Sequence, residues 1–439
     1  MIESLFIIFM FIGLLIGLAT GHPLAFVLGG VGIIFGIVGW GFGILNIFIN
    51  SIYGIMNNYT LVAIPLFVLM ANFLSGSKIA DGLFESMRLL FGRVRGGIAL
   101  SVVLVSTVFA ATTGVVGASV VTMGVLGIPI LLKYGYDKEL STGVVAAGGT
   151  LGILIPPSIM LVLMGAQSRV SVGELFQSTL IPGVLLAFLY CVYILIICWI
   201  YPEKGPGLSK EEAKSIPLGN KIKGVLVNLI PPLILVVAVL GSIFIGVATP
   251  TEASGVGAFV ALIMSICYGK FSFKFLQEAV YDTAKTTAMC LIILVGASIF
   301  ASAFLTLNGD QVLQNFVEAL GLGKWGVFAM MFIVTFILGM FIDWIGIVMI
   351  IFPIFLPLIE AYDFNMLWVI TCLALVLQTS FLTPPFGYSL FFIKGIVPPN
   401  ITLGIIYKGA FPFVIIICLV TILAIIFPSL ILWLPELVG

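Results

Sequence analysis

Apolar runs of about 20 residues, long enough to span hydrocarbon, recur along most of this chain, from MIESLFIIFMFIGLLIGLAT at the start to FVIIICLVTILAIIFPSLILW near the end. In hydrocarbon every backbone N–H and C=O must find its partner within the chain, so each run is read as a helix. Only 8% of the 439 residues are charged, whereas a soluble domain uses roughly 25%. The chain is therefore expected to be an all-α polytopic membrane protein embedded in a lipid bilayer. Its first run begins on acidic Glu3, with no basic segment and no small-residue cleavage site. That run reads as a transmembrane helix and not as a removable leader.

Several function classes are disfavoured by the residues. The formal net charge is zero, which suggests no nucleic-acid partner. No GxxxxGK[ST] occurs, so no ATP chemistry is expected, and GLGKWG (321–326) lacks the rest of a phosphate loop. His22 is the only histidine, which argues against a histidine metal site or proton relay. The six cysteines lie in apolar runs without a CxxC and read as small packing residues. An intramembrane enzyme would need paired aspartates or HExxH within the spans, and Asp343 stands alone there.

A shift of 228 residues places Pro129 on Pro357, Pro156 on Pro384 and Pro157 on Pro385. It also pairs Gly13 with Gly241, Ala25 with Ala253, Gly29 with Gly257 and Tyr134 with Tyr362. The chain thus reads as two similar halves, 1–201 and 224–439, joined by a polar linker, 202–223. Spans are expected near 2–20, 22–40, 51–75, 140–165 and 178–201, then near 224–247, 250–269, 283–306, 366–395 and 409–435. The segments 97–132 and 325–357 carry small or polar residues at their centres and read as re-entrant hairpins. An odd number of crossings per half would invert the second half relative to the first.

The charges give an independent test of this count. Lys204, Lys210, Lys214, Lys221 and Lys223 put the linker in the cytoplasm by the positive-inside rule, and both termini outside. The arm before the first hairpin, with Lys78, Arg88, Arg93 and Arg95, then falls inside, as do Lys133, Lys138, Lys270, Lys274, Lys394 and Lys408. The arm before the second hairpin, with Asp310, Glu318 and Lys324, falls outside, as do Glu360 and Asp363; Arg169 is the exception.

Two spans are interrupted at equivalent places, GGTLGILIPPS (148–158) and LQTSFLTPPFG (377–387), and the hairpin centres ATTGVVGAS (111–119) and GMFIDWIG (339–346) match them. Irregular backbone at membrane depth is tolerated where it is buried in protein or lines a wet cavity, and paired interruptions point to a transporter's binding site. Freed carbonyls and hydroxyls suit Na⁺, while half-helix N-termini favour an anion. Kinks in packed helices are the plainer alternative.

The ordered set GHPLAF (21–26), TTGVVGASVVTMG (112–124), AAGGTLGILIPPS (146–158), SVGELF with IPG (171–183), ATPTEASGVGA (248–258), LGMFIDWIGIVMIIFPIFLPLI (338–359) and LQTSFLTPPFG resembles the large membrane subunit of the tripartite ATP-independent periplasmic (TRAP) transporters, the DctM type. The resemblance covers nearly the whole chain. It implies a Na⁺-driven importer of a small organic acid (a C4-dicarboxylate, a 2-oxo acid or a sialic acid) with an elevator-type fold of scaffold and transport domains. It also implies a bacterial inner-membrane location and two partners: a separate four-helix small membrane subunit (DctQ type) and a periplasmic substrate-binding protein (DctP type). No small subunit is expected within this chain, which opens on the first repeat.

On that resemblance, one Na⁺ is expected among Thr112, Thr113, Gly114, Ser119, Gly149, Thr150 and Pro156, and a second among Gly339, Gly346, Gln378, Thr379, Thr383 and Pro384. Thr113, Ser119, Asp343, Ser380 and Thr383 are the candidates for substrate contact. Asp343 fits either a cation ligand or a cap of the second half-helix, with capping favoured, and Glu252 reads as a helix cap. No intramembrane arginine offers a clamp for a carboxylate. The alternative reading is a stand-alone Na⁺-coupled carboxylate carrier or antiporter of related fold; a channel is a further one.

Overall fold

The structure, a computed structural model, describes residues 2–77, 79–114, 116–208, 217–385 and 387–438. Lys78, Lys210 and Lys214 lie outside the described residues, as do the side chains of Glu3 and Thr113. All regular elements among the described residues are helical.

The first half comprises α1 (Ile2–Ala19), α2 (Leu24–Trp40), α3 (Ile44–Met56), α4 (Ala63–Gly76), α5 (Ile79–Phe91), α6 (Gly97–Thr113), α7 (Val116–Lys133), α8 (Lys138–Thr150), α9 (Ile159–Ser168) and α10 (Val172–Ile200). The second comprises α11 (Leu218–Phe244), α12 (Pro250–Cys267), α13 (Phe273–Thr306), α14 (Gly309–Ala319), α15 (Lys324–Gly339), α16 (Trp344–Ala361), α17 (Met366–Ser380), α18 (Tyr388–Ile396), α19 (Leu403–Ile426) and α20 (Ser429–Val438). Among the described residues, seven helices are long and apolar enough to cross a membrane. The chain is a multi-pass membrane protein.

The boundaries differ from expectation at several places: α10 and α19 each start six residues early, at Val172 and Leu403, and four further differences have a local cause or consequence. The span expected at 51–75 is divided: α3 stops at Met56, and the Asn58 side chain accepts from Thr60 N at 3.0 Å to start a 3-10 turn, Tyr59–Val62, ahead of α4. Short amide side chains offer the backbone a local partner in place of the helix ladder. The span expected at 283–306 begins ten residues earlier, at Phe273, where Ser272 Oγ accepts from Phe275 N. At 34 residues α13 is about 51 Å long, well beyond a hydrocarbon core of about 30 Å; its first turns carry Lys274, Glu278, Asp282 and Lys285. The helix expected from 224 starts at Leu218, within the expected linker. The last span is two helices, α19 and α20, parted before Pro428, because the residue preceding a proline is pushed out of the helical region.

One group of helices comprises α1–α4 and α11–α13. Its tightest crossing is α2 on α13, built on glycines. A Cβ at Gly32 would lie 2.9 Å from the backbone nitrogen of Phe300, and one at Gly296 would fall on the carbonyl of Ala25. In lipid, close backbone approach between small residues replaces the hydrophobic drive that operates in water. At Gly29 a Cβ would meet Gly296 Cα at an ordinary 3.5 Å. Gly29→Ala is therefore expected to leave the melting temperature in detergent unchanged or raised, since alanine is the better helix former by about 1 kcal/mol. Gly296→Ala is expected to lower it, at an overpacking cost of about 1–3 kcal/mol.

The other group gathers the two helical hairpins, α6–α7 and α15–α16, the short helices α8, α9, α17 and α18, and α10 with α19. Here α8 and α19 touch backbone to backbone at Gly143 and Gly409. The arm α14 meets the hairpin helix α15 at 117°. The other arm, α5, holds to α11 through Asn228 Nδ2, which donates to Ser86 Oγ at 3.0 Å, and to the first hairpin through Arg88, which donates to Tyr134 OH at 2.9 Å. The chain leaving α10 is tied to the base of that hairpin: Gly96 N donates to Gly205 O, Leu208 N to Gly92 O and Asp137 N to Lys204 O.

Element boundaries recur at the spacing seen in the prolines. Both α7 and α16 have 18 residues, and 344 − 116 = 228; likewise α8 and α17 start at 138 and 366. Contacts recur in exchanged form: α2 packs on α13 as α12 packs on α4, α7 on α18 as α16 on α9, and α5 on α11 as α14 on α1.

Candidate functional site

Both interrupted spans stop at their diprolines. Helix α8 ends at Thr150, a single 3-10 turn covers Leu151–Ile153, Ser158 is extended (φ −129°, ψ 129°), and α9 begins at Ile159. Helix α17 ends at Ser380 and α18 begins at Tyr388. With no N–H on either proline and no helix through the gap, main-chain carbonyls lack ladder partners there. Some find side chains: Ser158 Oγ donates across the first gap to Ile153 O at 2.7 Å, and Tyr407 OH of α19 donates to Pro385 O at 2.7 Å. Both Pro–Pro bonds are cis.

The first hairpin tip sits on the first break. Gly114 closes α6 with φ +60°, and a Cβ there would lie 2.8 Å from Pro157 O and 3.2 Å from Ser158 Cα. Gly152 faces Ser119 of α7 at 3.5 Å, and Gly149 packs against Val120. Gly114, Ser119, Gly149, Thr150 and Pro156 are all buried at this tip and break, whereas the expected ligand Thr112 is buried on the side of α6 that faces α4, α5 and α11, with Leu74, Ile79 and Pro232. The second hairpin meets the second break in the same way, with Gly339 against Ser380. Gly346 is set elsewhere, against Leu24 of α2. Gln378, Thr379 and Ser380 are buried, Thr383 is half-buried, and Pro384 is exposed.

The hydroxyls share one orientation. Thr112 Oγ1 donates to Phe109 O, Thr150 to Ala147 O, Thr379 to Leu375 O, Ser380 Oγ to Leu377 O and Thr383 to Thr379 O, at 2.7–3.1 Å. Each spends its proton on a nearby main-chain carbonyl, so its oxygen can only accept further, a presentation that suits a hard cation. Around these oxygens stand the N-termini of α7, α9, α16 and α18, whose partial positive charge favours an anion.

Asp343 occupies the N-cap position of α16, with extended backbone (φ −65°, ψ 152°), and its carboxylate faces the first backbone amides of that helix, Trp344 and Ile345, short of a well-formed capping hydrogen bond. The half-buried side chain thus keeps the orientation expected of a cap, toward the N-terminus of its own helix. It lies within electrostatic reach of Tyr388 and of Cys290 on α13. Beside it a cleft of about 410 Å³ runs between Gly339–Ile342 and Tyr388, Phe391 and Phe392. The two breaks therefore differ, one sealed and one beside an opening. Glu252 does cap as expected: its Oε2 accepts from Thr249 N at 2.8 Å, and Thr249 Oγ1 accepts from Glu252 N. Arg169, exposed, ends α9 in the left-handed region (φ +61°) and lines a separate polar cleft with Glu174, Asn365 and Glu436.

Sequence reasoning did not find Ser158, Tyr407 or Ser389, whose Oγ donates to Ala146 O at 3.4 Å and ties α18 to α8. Ser158 was legible as the residue after a diproline; the other two reach the site from distant sequence and carry no local signal.

Residues 11–430 match the model of the "Tripartite ATP-independent periplasmic transporter, DctM component" family. The C4-dicarboxylate TRAP transporter large permease protein DctM of Pseudomonas aeruginosa is 30% identical over 383 residues, 87% of each chain. The sialic acid TRAP transporter large permease protein SiaM of Vibrio cholerae is 26% identical over 431 residues, 98% of each. Among solved structures, the YdaH transporter of Alcanivorax borkumensis superposes with a TM-score of 0.64 at 13% identity, over 92% of this chain and 97% of that one, a likeness of fold alone. This chain belongs to the DctM component family of the tripartite ATP-independent periplasmic transporters.

Proposed function

We propose that the chain is the large permease of a Na⁺-coupled importer of a small organic acid anion, handed over by a periplasmic binding protein. The observation that supports this most directly is the seating of each hairpin on a broken helix, Gly114 at Pro157 and Gly339 at Ser380. Each junction sets acceptor oxygens beside helix N-termini, so cations and an anion can be held together without a charged clamp. Na⁺ is then a transported ion, and selectivity for the acid rests largely on the binding protein. Relatives named for C4-dicarboxylates and for sialic acid support the substrate class.

In this reading 1–201 and 224–439 are inverted repeats, supported by the recurring boundaries and exchanged contacts. The hairpin group moves as a unit against the group of α1–α4 and α11–α13, exposing the site to either side in turn. A separate small membrane subunit braces the second group. The protein sits in the bacterial inner membrane with both termini periplasmic.

The test is uptake into proteoliposomes of labelled C4-dicarboxylate, 2-oxo acid and sialic acid. Uptake is expected only with an inward Na⁺ gradient, the small subunit and the binding protein all present. Uptake by this chain alone would overturn the tripartite reading in favour of a stand-alone carrier, and uptake indifferent to Na⁺ would remove the coupling ion.

A further inference from the structure

We propose that Gln378 is a positioning residue that joins the two cation sites into one cooperative unit; this rests on the sodium-coupled reading above. Gln378 and Thr150 occupy equivalent places, since 378 − 150 = 228, and they are bonded to each other: Gln378 Nε2 donates to Thr150 Oγ1 at 3.4 Å. In a molecule of two related halves, a residue touches its own counterpart only where the axis relating them passes. Thr150 is the last residue of α8 and Gln378 lies in the last turn of α17, so the contact joins the two helix ends that face the two hairpins.

The orientation of the carboxamide follows from Thr150. That hydroxyl gives its proton to Ala147 O at 2.8 Å, so its oxygen can only accept, and the amide must present its nitrogen. Gln378 Oε1 then points away, completely buried and with no hydrogen-bond partner. A buried amide oxygen left in that state is unfavourable, and a cation or its bound water relieves it. A planar amide moves as one piece. A cation drawn to Oε1 therefore holds Nε2 on Thr150, and with it the last turn of α8, in the geometry the first site needs. Each site reads the other through one side chain, and the coupling must be reciprocal.

A second buried bond between the halves serves as the comparison. Ser178 Oγ and Thr371 Oγ1 lie 2.7 Å apart, both fully buried, on α10 and α17, but at positions that are not equivalent. The experiment is a NaCl titration of the full-length chain in detergent, at constant ionic strength with KCl, read as thermal stabilisation. The wild type is expected to give a Hill coefficient of about 2, falling to about 1 in Gln378→Leu and in Thr150→Val, with the Na⁺ midpoint raised about threefold or more. The double variant is expected to be no worse than either single one, because both remove the same bond. Ser178→Ala is expected to melt earlier and keep the wild-type Hill coefficient. An unchanged coefficient in either variant that folds, or an equal loss in Ser178→Ala, would overturn the proposal. A wild type unmoved by Na⁺ would overturn the sodium reading itself, and this proposal with it.

Discussion

Replacing Gly114 by valine is expected to lower uptake by about 30-fold or more. The residue sits at φ +60° on the first hairpin tip, and a Cβ would lie 2.8 Å from the carbonyl oxygen of Pro157. The left-handed conformation costs a residue with a β-carbon about 1–2 kcal/mol, and forcing a side chain into a packed interface costs about 1–3 kcal/mol more. A total of about 2–5 kcal/mol set against the seated tip corresponds to at least about 30-fold, at roughly 1.4 kcal/mol per tenfold. Gly395→Ala, on α18 with nothing within 4 Å of the added carbon, should transport like the wild type. Wild-type uptake by Gly114→Val would mean that the tip need not seat on the diproline during transport.

Thr379→Leu and Thr383→Leu are each expected to raise the Na⁺ concentration for half-maximal uptake by about tenfold or more, since a polar contact to a charged group contributes about 1.5–3 kcal/mol. Both hydroxyls spend their protons on Leu375 O and Thr379 O and leave only lone pairs to the site. Thr421→Val tests whether losing any such hydroxyl matters. Thr421 bonds back to Ile417 O at 2.8 Å within α19, and its replacement should leave the Na⁺ dependence in place. An unchanged Na⁺ dependence in both leucine variants would exclude these residues from the site.

The sequence alone determined that the chain is a set of apolar, membrane-embedded helices and where two of them break. Both follow from local chemistry: helices are obligatory in hydrocarbon, and a proline cannot donate to one. Glu252 was legible as a cap for the same reason, because the capping box it forms with Thr249 involves only neighbours in sequence. The break at Asn57 and Asn58 was equally local but was hidden inside a run whose apolar residues outweigh it. What only the tertiary structure decided is which oxygens share a site. That Gly346 faces Leu24 while Gly339 faces Ser380, and that Tyr407 reaches Pro385, depend on how helices far apart in sequence pack. In an apolar medium that packing is set by the shape of small-residue surfaces, and apolar periodicity carries almost no record of it.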